Sequence, residues 1–276
     1  TYTASGARRN GQRSRKLAMI DSPPPMNPTR YADWPIEARN IAERAEQRHG
    51  GWSRFSALRS IRVEVEQLGG PLPWIKLRHR SAAPRSIAVF PHQDRTEFLD
   101  YPRTGQRGVC EGTGVRLFAE SAPQKPLSHS EQHRQTFSGL RKYRRWDALD
   151  TLYFFGCALR TYLSVPFLCS RLKLLQVSRV HDLGQTLHGL SVEFPTHYES
   201  HGPRQTFYFD DSGLLRRHDY CAEIVGSWAH GSHYSDDYQE SGGIPLAHKR
   251  WVVARIGSHP TPIPVLHARF GTITTT

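Results

Sequence analysis

The sequence predicts an α+β fold: one large antiparallel sheet of about ten strands, combined with two helices. Three observations predict it. Apolar and polar residues alternate with period two over most of the chain after residue 60. Turn signals such as "DDSG" and "ESGG" separate those runs at close spacing. Only two segments have helical period, and no strand–helix–strand unit repeats.

Taken in order, residues 1–30 are rich in Arg, Ser and Pro and read as a disordered, basic lead, whose Arg8, Arg9, Arg13, Arg15 and Lys16 supply +5 of the net +12 charge. A single domain is expected over 31–276. Asp33 is placed to cap a helix through "WPIEARNIAERAEQRHGG", where Ile36, Ile41 and Ala45 form a thin apolar stripe and Gly50–Gly51 stop it. "IRVEVEQL" then puts Ile61, Val63 and Val65 on one face and Arg62, Glu64 and Glu66 on the other. Gly69–Gly70 turns the chain into "WIKLRH", and strands are expected at 86–90, 97–101 and 115–119.

After a polar, basic loop at 121–145 the period changes. Leu149, Leu152, Tyr153, Gly156, Leu159 and Leu163 recur at helical spacing, Asp147 is a first-turn acid, and Pro166 ends the pattern. An apolar helix between two sets of strands needs a partner surface, and the concave face of a curved sheet supplies one. Strands resume at 190–194, 206–210, 214–225, 233–239, 249–256 and 264–270.

Composition narrows the function classes. Hydrophobic content of 37% with 11% aromatic over 276 residues supports a real core. The excess basic charge comes with no nucleic-acid-binding module, so no nucleic acid is expected as partner. Cys110, Cys157, Cys169 and Cys221 form no C-x-x-C pair and read as free thiols in a reducing compartment, with two disulfides as the open alternative. No apolar signal segment is visible, and the longest apolar stretch, "LYFFGCAL" at 152–159, is too short to span a bilayer. The expectation is a cytoplasmic protein without stable membrane insertion. No G-x-S-x-G elbow and no glycine-rich phosphate loop occur, which disfavours a serine hydrolase and a nucleotide site; no cofactor is expected.

The order of elements, with "QTFYFDDSGLLRRHDY" followed by "HYSDDYQESGGIPLAHKRWVVAR", resembles a group of bacterial proteins with a fold like the lipoprotein carriers LolA and LolB. The resemblance runs from about residue 36 to 270. It implies a half-open β-barrel of ten to eleven strands, curled around a hydrophobic cavity and plugged by helices, with an apolar or lipid-like small molecule inside.

Several constellations can carry chemistry in such a cavity. Arg216, His218 and Tyr220 share a strand parity with Ala222 and Ile224, so His218 and Tyr220 are candidate acid–base groups among apolar neighbours; hydrogen-bonded core residues are the plain alternative. Asp236 or Asp237, from the next strand, is the candidate carboxylate partner of His218. His230, His233 and Asp236 have H-x-x-H-x-x-D spacing, an alternative metal set, against which a polar hairpin is preferred. Tyr153, Phe154 and Tyr162 on the aromatic helix, with Arg216 and Tyr234, are the candidate ligand contacts, and "RKYRR" at 141–145 is a cationic cluster placed to meet an anionic head group at the mouth. Two readings follow: a protein that binds an apolar small molecule, or a cofactor-independent isomerase, cyclase or hydrolase working through His218, Tyr220 and Asp236.

Overall fold

Thirteen strands pair, all antiparallel, in one open sheet. The computed structural model describes residues 30–78 and 83–276, so the expected basic lead, apart from Arg30, lies outside the described residues. The strands are β1 (Ile61–Gly69), β2 (Ser86–Phe90), β3 (Arg95–Leu99), β4 (Gln106–Glu111), β5 (Gly114–Ala119), β6 (Ala122–Ser130), β7 (Lys173–Asp182), β8 (Gln185–Glu193), β9 (Arg204–Phe209), β10 (Leu215–Cys221), β11 (His230–Ser241), β12 (Ile244–Ile256) and β13 (His259–Thr275). Their order is β6-β5-β4-β3-β2-β1-β13-β12-β11-β10-β9-β8-β7, a succession of hairpins with one long return that brings the C-terminal strand beside β1.

The helices are α1 (Ile36–Arg48), α2 (Trp52–Ala57), α3 (Pro71–Lys76) and α4 (Ala148–Ser164). Pro35, and not the expected Asp33, occupies the N-cap of α1: its carbonyl accepts the Arg39 amide at 3.0 Å. "WIKLRH" does not begin as a strand, because Pro71 sits in the first turn of the short α3 and its fixed φ suits that position. Asp147 caps α4 through a reciprocal box, accepting the Asp150 amide at 2.9 Å while Asp150 accepts the Asp147 amide at 3.2 Å.

α4 is buried on nearly every side, as expected of a helix apolar all round. It packs against β2, β3, β4 and β5, and its Tyr162 reaches Tyr220 on β10. Those strands stand far apart in the sheet order, so the sheet curls around the helix. This is the half-open barrel that the sequence resemblance implies, with thirteen strands where ten to eleven were expected. The main core joins Ile61, Val63, Ile87 and Phe98 to Leu152, Phe155 and Leu159; a second cluster seats α1 on β8–β10 through Ile41, Ala45, Leu190 and Phe207.

Arg160, 1% exposed, locks α4 in place. Its Nε lies 2.8 Å from an Asp94 carboxylate oxygen, and its two amino groups donate to the carbonyls of Asp94 at 2.9 Å and Glu199 at 2.7 Å. A buried guanidinium is tolerable when a carboxylate pairs its charge and carbonyls accept from its amino groups.

Candidate functional site

Strand alternation decides what β10 shows to the helix. His218, Tyr220 and Ala222 face α4, while Arg217 and Asp219 face the opposite side, where Arg217 is held at 2.7 Å by both Asp219 and Asp182. Between α4 and strands β10–β13 lies a cavity of about 410 Å³. Phe154, Phe155, Leu159, Ala222, Val252 and Leu266 wall it with carbon. Ile75, Trp228 and Ile256 line it too, and all three are exposed, which places its mouth beside α3.

The buried end is polar. The Tyr162 hydroxyl donates to the Tyr220 hydroxyl at 3.1 Å, and the Tyr162 ring lies 4.1 Å from that of His233. His201 stacks on Tyr220 at 5.0 Å, and His218 stands 4.8 Å from the same ring. Gln205 fixes the His218 tautomer. Its amide nitrogen donates to the Gly202 carbonyl at 2.8 Å, which turns its oxygen to accept from His218 Nε2 at 2.7 Å.

Burial pushes the His201 imidazole down to about 3, with Arg134 acting in the same direction. Burial also holds His218 and His233 well below the usual imidazole value, each further depressed by Arg250 and by neighbouring histidines. Burial raises the Tyr220 phenol to about 12 and the Tyr162 phenol well above its ordinary value. The buried end therefore holds neutral imidazoles, protonated phenols and one cation, Arg250.

The sequence-derived candidates separate into two groups. His218, Tyr220, Phe154 and Tyr162 meet in or beside the cavity. Asp236 does not join them: its carboxylate is half-exposed and sits 3.3 Å from Arg216. His218 bonds an amide instead, so the His218–Asp236 dyad is not formed. Arg216 leaves the row because the β9–β10 register shifts between Leu215 and Arg217, and its Nε donates to Asp210 at 2.7 Å. Tyr153 points away from the cavity, one helical step round from Phe154, and donates to the Glu199 carboxylate. Tyr234 lies on the other face of the sheet, stacked on Trp251 at 5.2 Å with its hydroxyl donating to Asp182 at 2.9 Å.

The alternative metal set does not form. Residues 230, 233 and 236 alternate across β11, and among the described residues no three His, Cys, Asp or Glu side chains gather around a common point. Of "RKYRR", Arg141 pairs with Asp150 at 2.8 Å beside the start of α4, and the Lys142 carbonyl accepts from Lys76 at the end of α3 at 2.6 Å. All four cysteines are free. Sequence reasoning missed Gln205, His201 and Arg250. Only Arg250 left a signal, sharing the parity of Val252 and Ala254 in "KRWVVARI".

No family model matches the sequence, and no curated protein matches it. Three solved structures are similar to it over most of the chain. One is a domain from Vibrio parahaemolyticus whose name places it among outer membrane lipoprotein-sorting proteins, at 12% identity over 86% of this chain and 91% of that one, with a TM-score of 0.48. The second is a LolA superfamily protein from Nitrosomonas europaea, at 12% identity over 86% and 92%, with a TM-score of 0.46. The third is a DUF1329 family protein from Desulfovibrio piger, at 13% identity over 87% and 92%, with a TM-score of 0.43. Among the described residues no helix is long and apolar enough to cross a membrane.

Proposed function

We propose that the protein binds an apolar, lipid-like small molecule in the cavity between α4 and β10–β13. One observation carries this reading: a cavity of about 410 Å³ whose walls are almost wholly apolar and whose mouth is ringed by exposed Ile75, Trp228 and Ile256. That volume lies within the range of small-molecule sites. Covering apolar walls of this kind with an apolar guest removes them from water, which is favourable in proportion to the area covered. The enzymatic alternative draws less support. His218 is committed to Gln205, and Asp236, its intended partner, is bound by Arg216.

The test is native mass spectrometry of the protein purified from its own host, followed by organic extraction. A stoichiometric apolar guest is expected. A protein that emerges empty and also fails to take up an apolar fluorophore, read by energy transfer from the tryptophans, overturns the reading.

A further inference from the structure

Three arginines are fully buried in the described residues, and two are neutralised by carboxylates. Arg160 has Asp94, and Arg217 has Asp219 and Asp182. Arg250, on β12 and 5% exposed, has none. Its one hydrogen bond runs from Nη1 to Ser235 Oγ at 3.1 Å. Its guanidinium carbon lies 5.6 Å from the Phe270 ring and 5.8 Å from the Tyr162 ring, and Nε has no acceptor. Among the described residues, nothing accepts from its Nε–Nη2 edge.

A guanidinium cannot escape this cost by losing its proton, because its pKa lies too high. Aromatic faces offset only part of the desolvation. The surrounding histidines do not help, since all are held neutral or, if protonated, would repel it. What such a site lacks is an anion. The free edge of the fork is also the edge that takes a carboxylate through two parallel N–H···O bonds.

Position supplies the second half. Arg250 lines the cavity at its buried end, beside Tyr162 and His233, opposite the mouth at Trp228. From the arginine outward the wall is apolar, along Phe154, Leu159, Ala222 and Leu266. We infer that the guest is an amphiphile with an acidic head group, a long-chain carboxylate, bound head-inward with its carboxylate on the Nε–Nη2 edge of Arg250 and its chain directed toward the mouth. This rests on the binding function proposed above and names the chemical class of the guest. It also moves the anion site from the surface cluster at 141–145 to the interior.

The experiment compares two probes of equal chain length, dodecanoate and dodecanol, by displacement of a bound apolar fluorophore at pH 8, in the wild type, Arg250→Met and Arg250→Lys. A charge-assisted bidentate contact predicts a preference for the acid of roughly 10- to 100-fold in the wild type. Arg250→Met should bind both probes alike, and Arg250→Lys should fall between, keeping the charge without the fork. The guest-free Met variant should also melt at a higher temperature than the wild type, because an uncompensated buried charge has been removed. Equal affinity of the wild type for acid and alcohol overturns the head-group assignment while leaving the binding function intact. Failure of both probes to bind overturns both.

Discussion

The hydroxyl of Tyr162 donates to the hydroxyl of Tyr220 at 3.1 Å, joining the central helix to a strand at the floor of the cavity. Burial raises both phenols, so the bond between two neutral groups persists across the working pH range. Tyr162→Phe and Tyr220→Phe should each cost about 1 kcal/mol, and the double variant should cost clearly less than their sum. Urea unfolding of the four proteins measures the coupling. Additive losses would mean that the bond contributes nothing.

Stability should fall in mild acid. His49, His201, His218 and His233 are buried and held neutral, His49 down to about 4 and His201 to about 3, the other two well below the ordinary imidazole value, with burial the main cause in each. In the unfolded chain they titrate near 6.5. Below that pH the unfolded state gains protons that the native state does not, so the native state is most favoured above about pH 6.5 and loses ground toward the native values. Each histidine contributes up to about 1.4 kcal/mol per pH unit in that window. Glu46 and Asp94, whose carboxyls burial raises, work in the opposite sense, and four groups outweigh two. The urea midpoint at pH 5 should lie well below that at pH 7.5, and His201→Gln should flatten the dependence. A midpoint unchanged between those pH values contradicts this account.

Gly156 should resist replacement by alanine. In an exposed helix the change would gain about 1 kcal/mol from propensity. Here the new Cβ would stand 2.8 Å from the Cβ of Cys110 on β4, backbone-anchored and unable to swing aside. Overpacking of that kind costs about 1–3 kcal/mol, which exceeds the propensity gain. Gly156→Ala should therefore lower the melting temperature; a rise would show that α4 and β4 separate easily.

Much of this arrangement was legible in the sequence. Period-two alternation identified β1, β2, β5 and β9, and the change of period identified α4, because those segments bury one face or all faces in a single core. Three strands escaped notice: β4, whose buried Val109 and Cys110 are adjacent in a short run and so show no period-two alternation, and the two edges of the sheet, β6 and β7. β6, "APQKPLSHS", is an exposed edge held by backbone hydrogen bonds to β5, and its prolines are admissible only at an edge. β7 is the opposite edge. Within the site, parity correctly turned His218 and Tyr220 toward the helix, but parity carries no register, so the Asp236 pairing failed. The bulge that removes Arg216 is equally invisible in one dimension. Arg250 stood on an apolar parity, yet its significance depends on the absence of a carboxylate in three dimensions.

The cavity can be closed without breaking the fold. Ala158 lies on the face of α4 that lines it and is 4% exposed. A phenylalanine there would project into existing space instead of into packed side chains, adding apolar contact worth about 25 cal/mol for each Å² removed from water. Phenylalanine is a weaker helix former than alanine by a few tenths of a kcal/mol, a smaller quantity than the burial it brings. Ala158→Phe should thus melt at or above the wild-type temperature and yet bind an apolar fluorophore at least tenfold more weakly. Wild-type affinity in a stable variant would place the binding surface elsewhere. Loss of both stability and binding would mean that the cavity is not open at Ala158, and Ala222→Phe, approaching from the strand side, would then distinguish a misplaced wall from a cavity already filled.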